Sequence, residues 1–208
     1  MKTVLKWTGR LVLVLLVGVG LLALLGPREK VDLSAGFDAS LLGDDIDAYF
    51  EREEAKFFDI VEGVQKRVVW AGDVGVKTPI SVLYIHGFSA TSEEIRPVPD
   101  KVAEALGANL VYTRLTGHGR SGAAMAQATA SDWMRDTAEA LAAARAVGES
   151  VVVIATSTGG TLVAAAALLV EGDAPALDAA HFCKRSDAQR QDVERAKGFR
   201  HSSLAGAA

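Results

Sequence analysis

Val151-Val152-Val153-Ile154-Ala155-Thr156-Ser157-Thr158-Gly159-Gly160 is the stretch on which the reading of this chain turns. Its run of apolar, mostly β-branched residues reads as a strand covered on both faces. The strand enters a turn of small residues, and an alanine-rich helix over 158–170 follows. This is the layout of a nucleophile elbow, in which a tight strand-to-helix bend pushes a serine hydroxyl into the open. Close approach of strand and helix requires small residues two before and two after the serine. Ala155 and Gly159 meet that need, giving A-x-S-x-G where G-x-S-x-G is usual, a sterically mild change. The same residues also suit an ordinary helix N-cap, because Ser, Thr and Gly favour that position.

Features upstream separate these alternatives. Ile80–Ile85 reads as a second apolar strand, and it runs into His86-Gly87-Phe88. A serine hydroxyl is a poor nucleophile alone; it needs a base and donors for the oxyanion formed on attack. In an elbow the residue after the serine supplies one backbone N–H, here Thr158, and the loop after an upstream strand supplies another. Phe88 is the candidate for the second donor, and His86 reads as a structural residue rather than a base. Asn109–Thr113 reads as a third strand, followed by Arg114-Leu115-Thr116-Gly117-His118-Gly119-Arg120-Ser121-Gly122. Gly117, Gly119 and Gly122 formally match a dinucleotide fingerprint, which also needs a helix opening at once and an acid at the end of the next strand. Asp136 and Glu139 fall inside the following helix, and residues 123–130 separate that helix from the loop, so the nucleotide reading is set aside.

These three motifs, each after a strand and in this order, resemble the α/β-hydrolase superfamily. Within it the resemblance is to the monoacylglycerol-lipase-like branch, also labelled serine aminopeptidase S33 or hydrolase 4, over roughly residues 66–180. It implies a mostly parallel sheet flanked by helices and a Ser…Asp…His catalytic order. It implies Ser157 as nucleophile, Phe88 and Thr158 as oxyanion donors, and esterase- or lipase-like hydrolysis of a small-molecule or lipid ester. His118, with Gly117 and Gly119, is structural in that family, as are His86 and Gly87.

The family places its acid and histidine after later strands. Beyond Ser157 the chain offers Asp173, Asp178, Asp187 and Asp192, with His181 and His201, none at the end of a recognisable strand. From Leu177 onward charged residues crowd together and no apolar strand emerges, so 181–208 reads as an atypical polar tail, frayed or disordered. The expectation is an incomplete α/β-hydrolase fold, a truncated or frame-shifted form of a longer hydrolase without its catalytic Asp and His. The elbow strand would then border the sheet instead of lying inside it. Two functional classes remain open: a serine hydrolase acting through Ser157, and a non-catalytic membrane-anchored fragment or binding module with a hydrolase-like fold.

The N-terminus carries a membrane signal. Lys2, Lys6 and Arg10 precede an unbroken apolar run from Leu11 to Leu25, ended by Gly26-Pro27. Extended back to Trp7, with Arg10 snorkelling, the run reaches a spanning length. An uncleaved signal anchor over 1–27 is the favoured reading, because no small-x-small cleavage site stands between Ala23 and Lys30. A cleaved secretory signal and a buried helix of the domain are the alternatives. The basic N-terminal flank places that end inside and the domain on the outer side. Residues 28–43 read as a linker. Asp44–Phe58 reads as an amphipathic helix with Ile46, Tyr49, Phe50, Phe57 and Phe58 on its apolar stripe.

The remaining composition mainly excludes. The chain has 208 residues and a net charge of −4, which speaks against a nucleic-acid binder. Cys183 is the single cysteine, so no intrachain disulfide forms. The four histidines are scattered without metal-ligand spacing, and neither metal nor cofactor is expected. Thr91 and Glu94 fit a capping box, a helix is expected to start at Pro99, and Ser131 is expected to cap a helix over 132–147.

Overall fold

The computed structural model describes residues 2–26, 32 and 36–170. The acids and histidines named beyond Ser157, and the tail after Ala180, lie outside these residues. Its strands are β1 (Arg67–Val69), β2 (Thr78–Ile85), β3 (Asn109–Tyr112) and β4 (Gly148–Ala155), in the spatial order β1-β3-β2-β4. β3 and β4 run parallel to β2 on either side of it, with Val82 opposite Leu110 and Val152, while β1 is antiparallel to β3. Among the described residues β4 therefore borders the sheet.

Side chains alternate across a strand, so one strand feeds two cores. Val82 and Tyr84 join Leu110, Tyr112 and Ala103 on the face covered by α3 (Val98–Leu106). Leu83 and Ile85 join Val111, Ala140, Leu141 and Ala144 on the face covered by α5 (Ala130–Val147). The helix α6 (Thr158–Val170) lies on the α5 side and buries Leu162. The chain leaves β2 to one side through α3, then crosses back over it through α5 to reach β4. That reversal opens a crevice at the carboxyl ends of β2 and β4, the place where sheets of this kind bind ligands.

Local chemistry sets the element ends, not always where the sequence suggests. Asp45 caps α2 (Ile46–Glu54) by accepting the Ala48 N–H at 2.9 Å. This helix stops at Glu54, short of Phe58, which is fully exposed and off the apolar stripe expected for it. α3 starts at Val98, so Pro99 is its second residue, and Gly107 closes it in the left-handed conformation (φ 57°) that glycine adopts without penalty. No capping box forms at Thr91: the Glu94 side chain turns back toward Gly87 instead. α5 starts earlier than expected. Thr129 and Asp132 make the capping box there, while Ser131 accepts the N–H of Asp32 at 2.9 Å. A short helix, α4 (Gly122–Met125), precedes it.

The segment expected to be linker ends in a 3-10 turn at Ala39–Leu42, and Leu42 is buried in the α5-side core with Ile46, Tyr49 and Phe50. Buried polar and charged groups dock α2 against the loop after β3 and against α5. Arg114 donates to both oxygens of Glu54 at 2.7 and 2.8 Å, Lys66 pairs with Glu139, and the Tyr49 hydroxyl donates to Glu139 at 2.7 Å. Burial and the Glu139 carboxylate raise the Tyr49 pKa. Pairing each buried charge avoids the penalty of several kcal/mol that a lone one would carry.

At the N-terminus, α1 (Lys2–Leu25) contains a 20-residue stretch, Lys6–Leu25, of mean hydropathy 2.4 with none of it buried. At about 1.5 Å per residue it reaches about 30 Å, the thickness of a bilayer core. Its full exposure removes the reading of this segment as a buried helix of the domain.

Candidate active site

Ser157 stands between the last residue of β4 and the first of α6, with φ +47°. A left-handed backbone is unfavourable for a non-glycine residue and persists only where its surroundings enforce it. Three contacts enforce it here. The Thr156 N–H donates to the Ile85 carbonyl at 3.1 Å, the Gly159 N–H to the Thr156 carbonyl at 2.8 Å, and the Thr161 N–H to the Ser157 carbonyl at 3.1 Å. Gly159 permits the approach: a Cβ there would lie 2.4 Å from the Ile85 carbonyl oxygen and 2.7 Å from that of His86. Ser157 itself is exposed, and its hydroxyl has no hydrogen-bond partner among the described residues.

The loop after β2 lies against this elbow. A Cβ built on the buried Gly87 would come within 3.5 Å of the Ser157 Cβ and 3.0 Å of Glu94 Oε1. The backbone N–H groups of Phe88 and Thr158, the two expected donors, are both without an acceptor among the described residues. The Phe88 ring is 58 % exposed and stands edge-on to Trp133 and His118, an aromatic wall beside Ser157's neighbour loop.

His86 and His118 are fully buried, with ring centroids 4.7 Å apart. Their partners define their tautomers. The Leu115 N–H donates to His86 Nε2 at 3.2 Å, so Nδ1 carries the proton and donates to the Gly87 carbonyl at 2.9 Å. The Ser89 N–H donates to His118 Nε2 at 3.2 Å, and His118 Nδ1 donates to the Thr116 carbonyl at 3.2 Å. Both rings are held neutral. Burial pushes His86 down to about 4 and lowers His118 as well. With both nitrogens occupied, neither ring can take a proton from Ser157. Each instead ties the loop after β2 to the loop after β3.

That second loop turns at Gly117 (φ 82°) and Gly119 (φ 65°). Trp133 Nε1 donates to the Thr116 carbonyl at 2.9 Å, and Asp136 accepts the Thr116 N–H at 2.5 Å. Burial raises the Asp136 pKa, opposed by Lys66 and by the Thr116 N–H. Asp136 is thus a latch on the loop. A charged cleft of about 450 Å³ opens nearby between α2 and α5, lined by Arg52, Lys56, Lys66 and Glu139 among others, and Ser157 is not in its wall.

The spacing of motifs in the sequence does not reveal Tyr84, Glu94 or Trp133. Glu94 has a local signal, but it is the capping-box pattern that the structure does not use. No group of three or more metal-binding side chains exists among the described residues.

Comparisons with known proteins place the chain's sequence in a family. The model of the alpha/beta hydrolase family matches residues 82–206. The thermostable monoacylglycerol lipase of Bacillus sp. (strain H-257) is 33 % identical over 84 residues, covering 40 % of this chain and 33 % of that enzyme. A solved chain from the metagenome-derived lipolytic enzymes LipS and LipT is 32 % identical, with a TM-score of 0.46 over 54 % of this chain and 43 % of its own. The match to the lipase thus spans about a third of that relative's length. With its elbow serine, its glycine-lined approach and a family match over more than half its residues, the chain belongs to the alpha/beta hydrolase family.

Proposed function

We propose that this protein is a serine ester hydrolase, esterase- or lipase-like, in which Ser157 is the nucleophile and the N–H groups of Phe88 and Thr158 receive the oxyanion. The observation that carries the proposal is the enforced left-handed backbone of Ser157, whose exposed hydroxyl stands beside the Gly87 loop. In the proposed reaction Oγ attacks the acyl carbon, its proton passes to a base, and the alcohol leaves to give an acyl-enzyme that water hydrolyses. Unpaired amides at the oxyanion position stabilise the charge as it develops. The lipase and lipolytic relatives support an ester substrate, and the aromatic wall of Phe88 and Trp133 suits an apolar acyl group.

The base is the open element. Both histidines among the described residues, His86 and His118, have their ring nitrogens occupied. That favours a second reading, in which the domain binds an ester without turning it over. Loss of the base removes several orders of magnitude of rate.

Detergent-solubilised full-length chain, treated with a fluorophosphonate and assayed with p-nitrophenyl esters, separates the readings. Labelling and turnover that both vanish in Ser157→Ala support catalysis. Absence of both labelling and turnover supports the binding reading and overturns Ser157 as nucleophile; labelling without turnover keeps Ser157 as nucleophile and excludes these esters as substrates.

The same proposal places the domain outside the membrane, held by α1 as an uncleaved anchor with its basic end inside. Support comes from the apolar, unburied Lys6–Leu25 segment and from Lys2, Lys6 and Arg10 before it. Release of full-length protein by alkaline extraction would contradict the anchor.

A further inference from the structure

We propose that Glu94 is the positioning residue of this site, a tether that fixes the Gly87–Phe88 loop against the elbow; the inference rests on the reading of Phe88 as an oxyanion donor. One carboxylate oxygen, Glu94 Oε2, accepts both the Gly87 N–H at 2.8 Å and the Tyr84 hydroxyl at 2.9 Å. That same Tyr84 hydroxyl lies 3.2 Å from Thr156 Oγ1, on the residue immediately before Ser157. Glu94, Tyr84 and Thr156 therefore form a polar bridge from the loop after β2 to the loop after β4.

The bridge has a physical purpose. The peptide between Gly87 and Phe88 must face Ser157 for the Phe88 N–H to donate into the site. Its flanking groups are bound on both sides: the Gly87 N–H by Glu94, and the Gly87 carbonyl by His86 Nδ1 at 2.9 Å and the Ala90 N–H at 3.3 Å. The carboxylate lies close against the loop, since a Cβ on Gly87 would sit 3.0 Å from Glu94 Oε1. Fixing a donor in advance is what makes it effective in the transition state, and a displacement of about 1 Å costs on the order of a hundredfold in rate.

Tyr84 is fully buried at the end of β2, so its hydroxyl is a rigid strut. Burial and the Glu94 carboxylate push it up to about 12, which keeps it a donor at all physiological pH. Glu94 lies at the exposed rim of the bridge. Its carboxylate is the member that can be changed without opening the core.

The test compares Glu94→Ala and Glu94→Gln with the parent in full-length, detergent-solubilised protein. Two readouts are taken: the rate of Ser157 labelling by a fluorophosphonate, and amide hydrogen exchange at Gly87. Glu94→Ala is expected to slow labelling by about 10- to 100-fold and to speed Gly87 exchange by at least about tenfold. Glu94→Gln keeps a carbonyl acceptor for both donors and is expected to stay within about threefold of the parent in both readouts. A merely structural carboxylate would not be rescued in this pairwise way. Labelling of Glu94→Ala at the parental rate, or unchanged Gly87 exchange, overturns the tether. If the parent itself fails to label, the hydrolase reading fails, and exchange alone decides whether Glu94 holds the loop: faster exchange upholds the tether and unchanged exchange overturns it.

Discussion

Two loops at the carboxyl end of the sheet both turn through left-handed backbone, and they use it differently. The loop after β3 turns at Gly117 and Gly119, residues that adopt positive φ at little cost. Its groups are then bound in place: His118 by Ser89 and Thr116, Thr116 by Trp133 and Asp136, and the His118 carbonyl by Arg114 at 3.0 Å. The loop after β4 makes the same turn at a serine, where it is unfavourable, and leaves the hydroxyl exposed and unpartnered among the described residues. In the loop after β3 glycine bears the turn and its neighbours are satisfied; at Ser157 the strain stays and hydrogen bonds of the flanking residues hold it.

Removing the hydroxyl tests the difference most severely. Ser157→Ala is expected to abolish phosphonate labelling, a fall of about three orders of magnitude or more, with little change in thermal unfolding. Surviving label would make the elbow an ordinary helix cap and end the contrast.

The glycines come next. In Gly159→Ala the new methyl meets the backbone carbonyl oxygens of Ile85 and His86 at 2.4 and 2.7 Å, so a loss of about 3 kcal/mol or more is expected in denaturant unfolding. Gly117→Ala meets the Ala124 carbonyl at 2.9 Å at a φ of 82° and is expected to cost about 2–3 kcal/mol while Ser157 still labels at low temperature. Equal loss of labelling in both variants would show that the two loops do not have separate roles.

Acid should act on the architectural loop through its histidines. Burial holds His86 at about 4 against an ordinary 6.5, so below pH 6.5 the unfolded chain takes a proton that the fold refuses. This contribution is fully present above pH 6.5 and is lost as pH falls toward 4, on the order of 3 kcal/mol from His86. His118, also lowered, acts in the same direction. Asp136 opposes them, because its raised carboxyl binds a proton in the fold before it does in the unfolded chain. Thermal unfolding measured across this range should show falling stability; a flat profile would mean the histidines are not the clasp described above.

The smallest effect concerns strain itself. Ser157→Gly should be more stable than Ser157→Ala by about 1 kcal/mol, because glycine tolerates the left-handed backbone and alanine does not. Equal stability of the two variants would remove the claim that the elbow is strained.

Much of this architecture was legible in the chain alone. Continuous apolar runs gave β2, β3 and β4 within a few residues, and the small residues around Ser157 gave the elbow, because strand burial and close backbone approach leave direct marks on residue type. Element starts were less legible. Thr129 displaced Ser131 as a cap and Glu94 left its capping box, since a polar side chain chooses among partners that are near in space but not in sequence.

That division also marks what each level of description decides. Local rules of packing and conformation, written in residue type and spacing, determined the family, the elbow at Ser157 and the length of the apolar run in α1. The tertiary structure alone decided that His86 and His118 are neutral clasps with no free nitrogen, that Asp136 latches a loop, and that Glu94 links both halves of the site. Hydrogen-bond saturation depends on which distant groups converge, and convergence is a property of the folded chain.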